Sequence, residues 1–166
     1  MLLQAGLFST VIDIGGVVGS PLIGVLLDYT CPKAPFLGVT VVLLIGTVAM
    51  ALFSFTAHLS FALNVVFLFI AGAANCGPDS ILSGSISMDI GERGEQGKGG
   101  GVTSLVNGVG NVGGMVEGPL IGYLLGVVGW SGVLYGLVGL SAMAAVSTGR
   151  ALIIDKRFRK DSNEGV

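Results

Sequence analysis

Hydrophobic residues in this sequence fall into five long stretches; the short segments between them and the C-terminal tail together hold most of the charged residues. Each stretch has about 20 residues or more, the length that an α-helix needs to cross roughly 30 Å of hydrocarbon. Transmembrane strands need only about 9–11 residues and alternate apolar with polar positions, a pattern that these stretches lack. The sequence therefore predicts an all-α membrane protein whose five transmembrane helices lie at residues 3–27, 36–56, 61–82, 102–128 and 132–154.

The eight basic residues occur only in the segment between the first two helices, in the segment between the third and fourth, and around the end of the fifth. Five crossings put these three segments on one side of the membrane, and the positive-inside rule makes that side cytoplasmic. We therefore expect a lumenal or extracellular N-terminus and a cytoplasmic tail at residues 156–166. The basic residues are Lys33, Arg93, Lys98, Arg150, Lys156, Arg157, Arg159 and Lys160.

The composition also indicates a lipid-embedded chain, since 52% of the 166 residues are hydrophobic, only 11% are charged and the mean hydropathy is +0.88. Soluble domains have about 25% charged residues, so this chain has too few charges to cover a water-exposed surface. No basic segment precedes the first apolar stretch, which argues against a cleaved signal peptide. The sequence shows neither metal-ligand spacing nor a nucleophile–base pair, and we predict no metal, no cofactor, no nucleic-acid partner and no enzymatic activity.

Glycine is concentrated in the fourth predicted helix, where two patterns overlap. GVGNVG at residues 108–113 matches the phosphate-binding fingerprint of dinucleotide-binding enzymes, but no acidic residue follows about 20 positions later and the stretch has membrane-spanning length. One glycine at every fourth position instead lines one helix face with small residues, which lets helices approach closely in lipid. The first helix carries a shorter version of this row, with Gly15 and Gly19. We predict helix packing through Gly110, Gly114, Gly118, Gly122 and Gly126.

A few polar residues lie inside the predicted membrane helices. Asp13 is near the middle of the first helix and Glu117 near the middle of the fourth, where a carboxylate is costly unless it faces a cavity or a partner or carries a proton. Asn107 and Asn111 are four residues apart and share a face of the fourth helix. These four residues are candidates to line a substrate or proton path. The alternative for each is an interhelical hydrogen bond, worth under about 2 kcal/mol.

Cations are missing from the same depth of the membrane. None of the first four predicted helices contains Lys or Arg, and Arg150 is close to the cytoplasmic end of the fifth. A buried anion site needs cations or helix N-termini. We therefore expect this chain alone to provide almost no anion-binding groups at mid-membrane depth.

A resemblance to a known family starts in the segment after the first helix. GVLLDYTCPK resembles the cytoplasmic G-x-x-x-D…[RK] loop motif of the major facilitator superfamily, with Gly24, Asp28 and Lys33 at matching positions. Residues 29, 31 and 32 depart from the motif. The resemblance assigns these three matching residues to a cytoplasmic gate.

Three longer segments resemble one branch of that superfamily, the organophosphate/phosphate antiporters. Residues 8–28, FSTVIDIGGVVGSPLIGVLLD, are similar to the eighth helix of that branch. Residues 76–124 are similar to its tenth and eleventh helices with their loop, and GWSGVLYGLVGLS at 129–141 is similar to the start of the twelfth. The branch includes glycerol-3-phosphate transporters and the sugar-phosphate exchangers of eukaryotic cells.

The resemblance implies a partial transporter. Family members have twelve helices in two halves, and they exchange a sugar phosphate or glycerol-3-phosphate for inorganic phosphate by alternating access. This chain would supply the last five helices, whereas the family's phosphate-binding arginines lie on the first and seventh. We therefore expect a fragment that is inactive without the missing N-terminal part, in which Asp13 and Glu117 pair with those arginines or tune them. The expected location is the endoplasmic reticulum or plasma membrane.

Two alternatives stay open. A proton-coupled carrier of another solute would use Glu117 or Asp13 as its proton carrier. A membrane protein without transport activity would use the glycine row as an association face for a partner.

Overall fold

The computed structural model describes residues 2–31, 34–56, 59–94 and 97–164, with side chains placed for residues 6–31, 34–56, 59–93 and 97–157. Nearly all of these residues are helical, and the described part of the chain contains no strand. The elements in chain order are α1 (Leu2–Thr30), α2 (Pro35–Thr56), α3 (Phe61–Ile81), a π-helical turn (Leu82–Ile86), α4 (Ser87–Gly94) and α5 (Gly99–Glu164).

Four helical segments of the described chain are long and apolar enough to cross a membrane. Two of them, Gly6–Thr30 and Pro35–Thr56, match the first two predicted helices to within three residues. The third, Phe61–Arg93, begins where the third predicted helix begins and extends beyond its predicted end. The fourth covers Gly99–Arg157 and has 59 residues, which at about 1.5 Å per residue is far longer than one crossing requires. The membrane-spanning helical class is therefore confirmed, whereas the count of five crossings stays a prediction.

Gly129 interrupts this long helix. Its φ of 68° and ψ of −178° lie outside the helical region, in backbone space that is almost restricted to glycine. We refer to residues 99–128 as the proximal arm of α5 and to residues 130–164 as the distal arm. The two arms correspond to the fourth and fifth predicted helices, and the end of one and the start of the other fall on either side of this glycine.

Helical structure extends beyond the predicted limits at two places. The third helix continues through the π-helical turn into α4, because α4 packs against the start of α5: Ser87 Oγ and Thr103 Oγ1 lie 3.2 Å apart, and Gly91 meets the backbone of Gly99. The polar segment from residue 156 onwards is also helical as far as Glu164. That segment contains no Gly or Pro before residue 165 to end the helix.

Helices α1 and α3 pack against each other through small residues. A Cβ atom on Gly16 would lie 2.7 Å from Cys76 Sγ, and one on Gly19 would collide with Ala73. In the opposite direction, a Cβ on Gly72 would collide with the carbonyl oxygen of Ile12. These glycines therefore allow the two backbones to come into direct contact.

The second packing centre joins α2 to the C-terminal end of α1, to the π-helical turn and to the distal arm. Its buried side chains form a compact apolar cluster, whereas the opposite faces of the same helices expose large hydrophobic residues, as expected for surfaces that face lipid. The cluster consists of Leu27, Phe36, Val39, Leu43, Ile86 and Ala145.

Candidate functional site

The four predicted cavity residues lie on two helices. Asp13 is on α1, and Asn107, Asn111 and Glu117 are on the proximal arm of α5; all four side chains are exposed. Within the described residues, none of the four makes a hydrogen bond or ion pair to another protein group. Their assignment to a substrate path stays a prediction.

The proximal arm presents its polar side chains in two directions. At about 100° per residue, Asn107 and Asn111 lie within roughly 40° of each other around the helix axis. Glu117 lies about 120° from Asn111 by the same geometry. A solute that contacted both asparagines would therefore meet an amide-lined face, with the carboxylate to one side.

The predicted glycine row is open in this structure. A Cβ atom added at any of its five positions would meet no atom within 4 Å. Every residue from 104 to 120 is exposed. Packing through this row therefore stays a prediction about a partner outside the described chain. The row comprises Gly110, Gly114, Gly118, Gly122 and Gly126.

The cytoplasmic gate motif is only partly described. Gly24 is half-buried with free space around its Cα, and Asp28 is exposed near the end of α1. Lys33 lies outside the described residues. The assignment of these residues to a gate stays a prediction.

Hydroxyl and amide groups join α2, α3 and the distal arm at a place that the sequence analysis did not single out. Thr47 Oγ1 and Ser141 Oγ are 2.8 Å apart, and Ser141 Oγ donates to Asn75 Oδ1 at 3.5 Å. The amide nitrogen of Asn75 donates to the carbonyl oxygen of Ala71 at 2.8 Å, which orients the amide. About two helical turns away on both helices, Thr40 Oγ1 donates to Thr148 Oγ1 at 3.3 Å.

We call this contact the polar seam; its residues are Thr40, Thr47, Asn75, Ser141 and Thr148. The spacing of its hydroxyls gives a signal in the sequence. Thr40 and Thr47 are seven residues apart on α2, and Ser141 and Thr148 are seven residues apart on the distal arm. Residues separated by seven lie on nearly the same helix face. Two matching rows of hydroxyls therefore predict one helix–helix contact, although neither row is conspicuous by itself.

An ion-pair cluster fixes α4 to the distal arm. Arg93 Nη1 donates to Asp155 Oδ1 at 2.8 Å, and Arg93 Nη2 donates to Asp89 within α4. The arginine side chain is 42% exposed, whereas that of Asp155 is 12% exposed. This contact connects the segment between the third and fourth predicted helices to the end of the fifth.

Comparison with known proteins gives one family match and a set of related transporters. The sequence model of the Major Facilitator Superfamily matches residues 2–165. The chain is 29% identical over 148 residues to the mouse glucose-6-phosphate exchanger SLC37A2, covering 86% of this chain. It is 32% identical over 145 residues to human SLC37A1, another glucose-6-phosphate exchanger, and 30% identical over 138 residues to the putative glycerol-3-phosphate transporter 3 of Arabidopsis thaliana. These alignments cover 85% and 81% of the chain.

The relatives are much longer than the matched region. The aligned segment accounts for 29% of the mouse exchanger, 27% of the human one and 26% of the Arabidopsis protein. No solved structure matches this chain.

Proposed function

Since the chain belongs to the Major Facilitator Superfamily, we propose that it forms part of a transporter that exchanges an organophosphate for inorganic phosphate. The observation that supports this function is the similarity to two kinds of phosphate-ester transporter, over more than four fifths of the chain in each case. The transported ester is a sugar phosphate or glycerol-3-phosphate. Exchange proceeds by alternating access, in which two halves rock around a central site.

The proposed topology has five crossings. The proximal arm and the distal arm are each long enough for one span, and the backbone conformation of Gly129 supports a reversal of direction between them. The segments rich in Lys and Arg then lie in the cytoplasm together with the C-terminus. The membrane is that of the endoplasmic reticulum or the cell surface.

The proposed cavity is lined by Asp13, Asn107, Asn111 and Glu117. Amides hydrogen-bond the hydroxyls and ester oxygens of a sugar phosphate, whereas the phosphate charge requires cations. The described residues of the four candidate spans include no Lys or Arg at mid-span, so the cations come from the remainder of the transporter. The isolated chain is accordingly inactive.

A chimera tests this function. The 148 residues of the mouse exchanger that match this chain are replaced by the chain, and the product is reconstituted in vesicles loaded with inorganic phosphate. Uptake of labelled glucose-6-phosphate and glycerol-3-phosphate is measured, with the unmodified exchanger and the isolated chain as controls. We expect exchange by the chimera and none by the isolated chain. A chimera that inserts into the vesicles but transports neither ester, while the unmodified exchanger does, contradicts the proposal.

The cavity assignment is tested in the same chimera. Replacing Asn111 by Leu removes a hydrogen-bonding amide, and a hydrogen bond to a neutral hydroxyl or ester oxygen is worth about 0.5–1.5 kcal/mol, so the exchange rate should fall about two- to tenfold. Val109→Leu on the opposite side of the helix is the matched control and should retain the rate. Equal effects of both changes would remove Asn111 from the cavity.

The exposed carboxylate of Glu117 supports one second candidate, a proton-coupled carrier. In that case an inward proton gradient drives uptake without internal phosphate, and Glu117→Gln abolishes the coupling. In the antiporter, uptake depends on internal phosphate and is insensitive to the proton gradient. The two functions are therefore separated by loading the vesicles with or without phosphate.

A further inference from the structure

The apolar part of the distal arm ends where its charged residues begin. Residues 130–149 include no charged residue and, at about 1.5 Å per residue, cover roughly 30 Å, the thickness of the hydrocarbon core. Arg150 therefore lies at the edge of the hydrocarbon. Lys156 and Arg157 follow about 9–10 Å farther along the same helix, at the outer limit of the lipid headgroups, which add roughly 5–8 Å to each side of the core.

The helix separates the charges of this segment by sign. Asp155 is the only acidic residue in 150–157; its side chain is 12% exposed and accepts a hydrogen bond from Arg93 at 2.8 Å. Ala151, on the same side of the helix, packs against the apolar cluster of the bundle. Arg150 and Arg157 are exposed and lie about 140–160° around the helix axis from Asp155. The acidic side chain therefore faces the bundle, and the two arginines face away from it.

The outward side of this segment combines cations with apolar side chains. Its exposed residues are Arg150, Ile153, Ile154, Lys156 and Arg157, and we call this surface the basic face. Within the described residues, none of its three cations makes an ion pair or a hydrogen bond. The seven residues that follow, 158–164, include two basic and two acidic residues, so the excess of positive charge ends at Arg157.

We propose that the basic face binds the headgroup of an anionic phospholipid. The two isoleucines contact the acyl chains, and Arg150 meets the phosphate at the edge of the hydrocarbon, because a guanidinium binds phosphate oxygens through two parallel hydrogen bonds. A zwitterionic lipid offers the same phosphate but no net charge. Lys156 and Arg157, at the level of the outer headgroup, therefore favour a lipid whose headgroup is negatively charged.

The bound lipid would complete the attachment of this end of the distal arm. The ion pair of Arg93 and Asp155 connects one side of the arm to α4. The basic face lies on the opposite side, where the structure provides no protein contact for its cations within the described residues. Protein on one side and an anionic lipid on the other then fix the end of the arm at the membrane surface.

Quenching of tryptophan fluorescence by brominated lipids tests each end of the arm separately. Trp130 is the only tryptophan in the chain, is 68% exposed and lies at the opposite end of the distal arm from the basic face. The unaltered chain therefore reports the lipid at that end. Trp130→Phe combined with Ile154→Trp moves the reporter to the basic face, and Ile153→Trp in place of Ile154→Trp gives a second reporter there.

Each chain is reconstituted in phosphatidylcholine vesicles with increasing fractions of brominated phosphatidylserine or brominated phosphatidylcholine, and the quenching gives the relative binding constant of the two lipids. At the basic face we expect phosphatidylserine to bind about tenfold more tightly or better, since each basic residue near the membrane surface contributes roughly 1 kcal/mol. Trp130 of the unaltered chain should report a preference below about twofold, because no basic residue lies near that end of the arm.

Paired charge changes show whether the preference belongs to this face. Arg150→Gln with Arg157→Gln should lower the preference by about fivefold or more. Lys33→Gln with Lys98→Gln removes two positive charges from segments outside the distal arm and should leave the preference unchanged.

Three results overturn the proposal. Equal binding of the two lipids at both reporters of the basic face means that its cations are solvated by water alone. Equal losses from the two double variants mean that the preference follows the net charge of the chain. The same preference at Trp130 means that the whole lipid-facing surface selects phosphatidylserine. Because no step measures transport and both leaflets carry the same lipids, the result depends neither on the proposed function nor on the orientation of the chain.

Discussion

Helices α1 and α3 are held together by different means from α2 and the distal arm of α5. At the first interface, glycines such as Gly15, Gly19 and Gly72 bring the two backbones into contact, and the contacts are van der Waals contacts. At the second, hydroxyl pairs cross between the helices, with Thr47 and Ser141 2.8 Å apart. Both devices replace the hydrophobic driving force, which lipid does not provide between apolar surfaces.

The two interfaces should differ in what they tolerate. A backbone contact has no free volume and cannot move aside, so any added side chain separates the helices. A hydroxyl pair at a looser interface tolerates a change of shape, and its loss removes one modest hydrogen bond. The comparison therefore predicts large effects of small volume changes on one side of the bundle and small effects of polar changes on the other.

The largest effect is expected for Gly72→Leu in α3. A Cβ at this position already collides with the carbonyl oxygen of Ile12, so the free energy of unfolding should fall by about 3 kcal/mol or more. Unfolding of the chain in bicelles, titrated with a denaturing detergent and followed by circular dichroism, measures the change. Gly6→Leu, where a Cβ meets no atom within 4 Å, is the control and should change stability little. Similar losses for both would mean that α1 and α3 are not in backbone contact.

Gly129→Ala tests the turn that brings the distal arm to α2. Its φ of 68° and ψ of −178° are unfavourable for alanine, at a cost of about 1–3 kcal/mol. The same titration should show that loss of stability. Gly126→Ala is the matched change three residues earlier, within the helix and in open space, and should be neutral or stabilising because alanine favours helix. A neutral result for Gly129→Ala would argue for one uninterrupted helix.

The apolar pattern was sufficient to predict the helices that face lipid, because length and hydropathy alone determine whether a segment can cross a bilayer. It was not sufficient for α4. The segment Ser87–Gly94 is polar and contains glycine. Its helical structure depends on contacts with Gly99 and Thr103 at the start of α5 and with Asp155, which lies 62 residues after Arg93. Tertiary contacts of this kind override local propensity.

The candidate site was predictable only in its chemistry. Polar groups are rare in apolar helices, which singles out Asp13, Asn107, Asn111 and Glu117. The periodicity of one helix does not reveal which helix or cavity lies opposite these residues. Only the contacts between helices show that Gly15 and Gly19 of α1 are packed against α3, whereas the glycine row of the proximal arm is open. The seam of Thr47 and Ser141 was missed because it depends on two helices that are about 90 residues apart.

A smaller effect is expected at the hydroxyl interface. Thr47→Val and Ser141→Ala should couple in a double-mutant cycle by about 0.6 kcal/mol, and by no more than roughly 1.7 kcal/mol, the range for hydrogen bonds between membrane helices. The bicelle titration gives the four unfolding free energies. Thr10→Val with Ser141→Ala is the control cycle, since Thr10 Oγ1 bonds only its own helix at Gly6. Coupling above 3 kcal/mol would show that this interface is as intolerant as that of α1 and α3.

The smallest effect is expected where the distal arm meets α4 outside the apolar core. Arg93→Gln and Asp155→Asn should couple by about 0.2–1 kcal/mol, because the guanidinium is 42% exposed and water screens the pair. Raising the salt concentration from 0.05 M to 0.5 M should reduce that coupling, whereas the coupling of Thr47 with Ser141 involves no net charge and should stay constant. Arg150→Gln, at an exposed arginine on the same arm, provides the control for the loss of one positive charge. If salt left the coupling of Arg93 and Asp155 unchanged, the pair would have to be shielded from water, and α4 would belong to the membrane-embedded part of the bundle.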